Sequence, residues 1–133
     1  MEPMRPTGDI TISAACFTEQ REFARGEIEH EKQAIAEALA HPMAALGAGD
    51  AALHLKFLIG HVERETLWGQ LIYGIEQGES PLEALQRVMH RQMIELLLSR
   101  RSSDWVSVTR DNIRRDWLYA MNMLLEIEAP PVL

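Results

Sequence analysis

The chain has one cysteine, Cys16, in 133 residues. That excludes an intramolecular disulfide and a thiolate metal cluster, and it suits a reducing compartment. Aromatic residues are few, at 6%. No apolar run approaches the ~20 residues needed to span a bilayer, and the N-terminus lacks the charged, apolar and cleavage regions of a signal peptide. A cytoplasmic protein is expected. No glycine-rich phosphate loop is present, since Gly47-Ala48-Gly49 is short and follows no strand. Nothing around a serine or around Cys16 supports nucleophilic catalysis. There is no internal repeat, low-complexity tract or sustained heptad.

What is there is an ordinary globular composition, 47% apolar and 25% charged, in a length that suits one domain. Net charge is −7, which argues against general nucleic-acid binding. The charge is uneven. Residues 1–50 carry nine acids against four bases. Between Arg87 and Arg115 seven arginines face only Glu95, Asp104 and Asp111.

Apolar spacing of three and four residues predicts an all-α, four-helix bundle-like domain over 18–128. It follows an N-terminal arm over 1–17 and precedes a short tail over 129–133. The arm contains the alternating run Ile10-Thr11-Ile12-Ser13-Ala14, which is strand-like or plainly extended. The first helix is expected over 18–40, with Thr18 as its cap and a thin apolar stripe. A small-residue linker, Met43 to Gly49, leads to a second helix over 50–77 capped by Asp50. Ser80-Pro81-Leu82-Glu83 is a capping box for a third helix over 80–101. Ser102 or Ser103 would cap a fourth over 103–128. Met93 to Leu98 is apolar nearly all round, so burial on several sides is expected. That surplus, beside a polar first helix, predicts a homodimer.

The second helix carries the unusual stripe Leu58, His61, Glu65, Trp68, Ile72, Ile75. A polar pair within a core-forming face needs a partner, so His61 and Glu65 are expected either to hydrogen-bond each other or to belong to a site. The site alternative is one transition-metal ion held by some of His61, Glu65, His54, Glu27, His30 and His90, because helical bundles build such centres from inward Glu and His. Only one Glu-x-x-His motif, Glu27 to His30, is present. The spacing of Arg25 and His30 also matches that of the arginine and histidine in some helical ribonucleases. A further alternative is a small-molecule-binding regulatory bundle with an apolar cavity lined by Trp68, Met89 and Trp117.

No catalytic constellation emerges, so a non-enzymatic module that sequesters or modulates another protein is the leading expectation. No cofactor, nucleic acid or membrane is invoked. Arginine offers fixed donors and a flat stacking face. The partner-binding face is therefore expected on the fourth helix at Trp105, Arg110, Arg114 and Trp117, with Arg101 at its edge. Arg110 and Arg114 show no nearby acid of their own, while Asp111 and Arg115 form a helical pair. His54-Leu55-Lys56-Phe57-Leu58, with the helix after it, resembles a helix of the small dimeric quorum-sensing antiactivators that bind LuxR-type regulators. The likeness is one of pattern and assigns no residue a role.

Overall fold

A computed structural model describes residues 10–98 and 104–128. Four helices follow one another: α1 (Ala14–Leu39), α2 (Ala44–Glu76), α3 (Pro81–Leu98) and α4 (Trp105–Glu128). The all-α, bundle-like fold expected from the spacing is what forms, and no described residue is in a strand. No helix among the described residues is long and apolar enough to cross a membrane.

The strand-like run is corrected first. Ser13 is extended and accepts a hydrogen bond from the Cys16 N–H at 3.1 Å, so it, not Thr18, caps α1. Ser and Thr both satisfy orphan helix donors. Ile10 is buried in the core ahead of this cap, and that contact fixes where the helix begins. The arm is therefore shorter than expected; residues 1–9 and 129–133 lie outside the described residues.

The second helix starts at Ala44, not Asp50, and takes in the supposed linker. Gly47 is buried where α2 first meets α1. A Cβ there would collide with the Ala38 carbonyl oxygen and stand 2.9 Å from His41 Cβ. The glycine lets two backbones approach; it does not break the helix. Ahead of it, the Met43 N–H donates to His41 Nδ1 at 2.9 Å.

Gly78, with φ +107°, ends α2 in the left-handed conformation that favours glycine. The capping box then forms as read from the sequence. The Glu83 N–H donates to Ser80 Oγ at 3.1 Å and the Ser80 N–H to Glu83 Oε1 at 2.9 Å. These bonds hold the Glu83 carboxyl below its ordinary pKa. Arg87 straddles the same turn, its Nε 2.8 Å from Glu79 Oε2. The third helix is described as far as Leu98. Asp104 precedes α4 and accepts from the Val106 N–H at 3.3 Å; Ser102 and Ser103, the expected caps, lie outside the described residues.

Helix α2 packs against each of the other three, most extensively against α1. Helix α4 runs beside α2 in the same direction, since Gly60 meets Ile113, Glu63 meets Arg114 and Trp68 meets Trp117. The core lies toward the C-terminal half of α2. Phe17, Leu67, Leu71, Leu85, Val88, Met121 and Leu124 are fully buried around Trp68. The Trp68 ring lies 5.7 Å from both Phe17 and Trp117. Trp68, Met89 and Trp117 are all buried in this one core cluster. The end of α3 also differs from expectation. Leu97 and Leu98 are 83% and 77% exposed, because α3 is covered on one face only.

Candidate functional site

The expected partner face is divided by the structure. Trp105, the first residue of α4, is 47% exposed, whereas Trp117 is 5% exposed and belongs to the core. Helical spacing already separates them: twelve residues turn the helix by about 120°, and only Trp117 falls in step with Met121 and Leu124 in the core. Arg114 Nε donates to Glu63 Oε2 at 3.2 Å, and Arg110 Nε stands 3.6 Å from Glu63 Oε1. Both arginines therefore have an acid, supplied by α2 from 47 or more residues away in sequence. Asp111 approaches Arg114 at 3.9 Å, where a pair with Arg115 was expected. Arg101 lies outside the described residues. Glu63, which escaped notice in the sequence, is the pivot of this face.

The His/Glu set is also redistributed. His61 and Glu65 do not pair: Glu65 Oε2 accepts from Arg25 Nε at 3.1 Å, and His61 turns to Arg64 and Glu27. Arg25 is thereby committed to Glu65 and to Glu22. His54 Nδ1 is 2.6 Å from Glu31 Oε1, bridging α2 to a buried carboxylate on α1. His90 is exposed on α3, apart from these groups. Among the described residues no three His, Cys, Asp or Glu side chains are gathered as ligands for one ion.

Of these side chains, Glu27, His30, Glu31, His61 and Arg64 line a cavity of about 520 Å³ between α1, α2 and α4. Its apolar walls are Phe23, Phe57 and Ile113, with the bare backbone of Gly60 between the last two. Its polar groups are Glu27, His30, Glu31, Lys56, His61, Arg64 and Thr109. This volume is in the range of small-molecule sites, which are mostly apolar with a few converging polar groups. The helices place them by simple periodicity. Phe23, Glu27 and His30 step four and three along α1; Phe57, His61 and Arg64 do the same along α2. Those two stripes were the available signal. The polarity of α1 hid it, since a face with Glu27 and His30 reads as solvated.

Within the cavity, Arg64 Nη2 lies 2.9 Å from His61 Nδ1. A guanidinium only donates, so Nδ1 accepts and the neutral ring carries its proton on Nε2. Burial lowers the His61 pKa from 6.5, and Arg64 lowers it further. Glu27 and Glu31 pull the other way, and His30 adds to the lowering. Burial likewise lowers the Arg64 pKa, opposed by Asp116 and Glu27. A histidine that is harder to protonate when folded favours the native state above its unfolded pKa. Stability is therefore expected to drop as pH falls below 6.5. In His61→Asn that part of the slope should vanish. Urea denaturation across a pH series, compared between the two proteins, checks this; equal slopes would refute it.

A second surface is apolar and uncovered. Leu46, Leu53 and Phe57 share a face of α2 and are exposed, with Leu39 and Met43 beside the α1–α2 turn. Between Ala44 and Phe57 the only Asp, Glu, Lys or Arg side chains are Asp50 and Lys56. No protein-family model, curated protein or solved structure matches this chain.

Proposed function

We propose that the protein is a non-catalytic cytoplasmic binding module that dimerises and sequesters or modulates a partner protein. The observation that supports this is the exposed apolar face of α2 at Leu46, Leu53 and Phe57, continued by Leu39 at 69% and Met43 at 62% exposure. Contiguous apolar surface of this kind marks association. A helix face repeated in a second copy is self-complementary about a two-fold axis. Once paired, the N-terminal half of α2 is buried on both sides, which accounts for its near absence of charge. Trp105 and the exposed edge of Arg110 remain outside that seam and are available to an acidic protein partner. A net charge of −7 disfavours nucleic acid in that role.

Light scattering at micromolar concentration tests the dimer. Twice the chain mass of 15.1 kDa is expected for the natural sequence. The variant Leu46→Glu with Leu53→Glu should give the single-chain mass with unchanged helicity, because both side chains are exposed in the monomer. A monomeric natural protein, or a double variant that remains dimeric, overturns the assignment of this face.

A further inference from the structure

We propose that the cavity between α1, α2 and α4 binds a neutral aromatic alcohol, its rings between Phe23, Phe57 and Ile113 and its hydroxyl between His61 and Glu27. Charge comes first. The lining carries two carboxylates, Glu27 and Glu31, and two cations, Lys56 and Arg64. These cancel, so a charged ligand gains no net attraction. Two of the four are also committed, Glu31 to His54 and Arg64 to His61.

What remains is an open donor and an open acceptor. The tautomer fixed by Arg64 puts a proton on His61 Nε2. The nearest carboxylate oxygen, Glu27 Oε2, is 3.9 Å from that nitrogen, too far for a hydrogen bond. An oxygen about 2.8 Å from each atom closes a triangle on that edge. It must accept from Nε2–H and donate to the carboxylate. A hydroxyl does both; a ketone or ether cannot donate, and an ammonium cannot accept. The walls choose the rest of the molecule. Two phenylalanines and an isoleucine favour a flat apolar body, and the missing side chain at Gly60 leaves the floor open. A Cβ at Gly60 would lie 3.2 Å from Ile113 Cδ1 and 3.4 Å from Arg64 Nη2.

The probes are 2-naphthol and naphthalene, which differ by one hydroxyl, titrated calorimetrically into the full chain at neutral pH. Saturable binding of 2-naphthol at one site per chain is expected, about tenfold tighter than naphthalene, as a hydrogen bond to a charged group implies. In Glu27→Leu that preference should shrink to about unity, with naphthalene binding retained. Naphthalene thereby reports whether the cavity is intact within each variant. Phe57→Ala, at a half-exposed wall position, should weaken both probes together. The proposal is overturned if neither probe binds, if the two bind alike to the natural sequence, or if the preference survives in Glu27→Leu. It is overturned equally if Phe57→Ala leaves both affinities unchanged.

Discussion

Replacing Trp117 with alanine is expected to destabilise the protein by about 3–5 kcal/mol, the usual cost of emptying a large aromatic site in a core. In a chain of this size that corresponds to a loss of roughly 10 °C or more in Tm. Trp117 is 5% exposed and meets Trp68 edge to face at 5.7 Å. Truncation removes that contact and opens space against Met121 and Leu124 in the same cluster. Trp117→Phe should recover most of the loss, because the buried indole N–H has no partner among the described residues. Trp105→Ala should change stability by no more than about 0.5 kcal/mol, as a half-exposed surface residue. Thermal denaturation of the three variants checks the assignment. A nearly neutral Trp117→Ala would return this side chain to the surface.

The second large effect is expected at Glu63. Its side chain is only 12% exposed and sits between Arg114 and Arg110. Reversing Arg114 to glutamate places two carboxylates together and strips the inner one of its main partner. A loss of about 2–4 kcal/mol is expected, below the full cost of a buried unpaired charge because Arg114 retains some solvent contact. Adding Glu63→Arg to Arg114→Glu should recover at least half, since the pair is restored with its signs exchanged. A free-energy cycle by urea denaturation measures the coupling. This reverses the expectation drawn from the sequence alone, that Arg110 and Arg114 have no acid of their own.

The difference between those two expectations shows which physics is local. The capping box from Ser80 to Glu83 was legible because both partners lie within one helical turn. The inward stripe through His61, Trp68 and Ile72 was legible because periodicity places it on the core side. The start of α1 was not, because Ile10 is held by residues distant in sequence and the choice between Ser13 and Thr18 depends on it. Gly47 and Gly49 read as a linker by composition. Only the proximity of the Ala38 carbonyl reveals that Gly47 serves packing. The ion pairs were the least legible. Glu63 and Arg114, Glu65 and Arg25, and Glu31 and His54 each join different helices, so no spacing rule connects them. The cavity suffered likewise. Glu27, His30, His54 and His61 were singled out as chemistry-bearing residues, but sequence alone grouped them around an ion. The structure spends His54 on Glu31 and leaves Glu27 and His61 facing each other across a gap.

The central position of α2 also has a consequence for synthesis. Helices α1 and α2 are adjacent in the chain and make the most extensive contact in the fold, so a ribosome-bound chain can close this hairpin before α3 and α4 emerge. Contacts between sequence neighbours form quickly, and N-terminal units assemble first during translation. The hairpin alone leaves one side of Trp68 bare. Helix α4, arriving last with Trp117, covers that side. The hairpin therefore presents this aromatic face until the segment from Gln77 to Trp117 has been made, and the ring contact between the two tryptophans marks its closure.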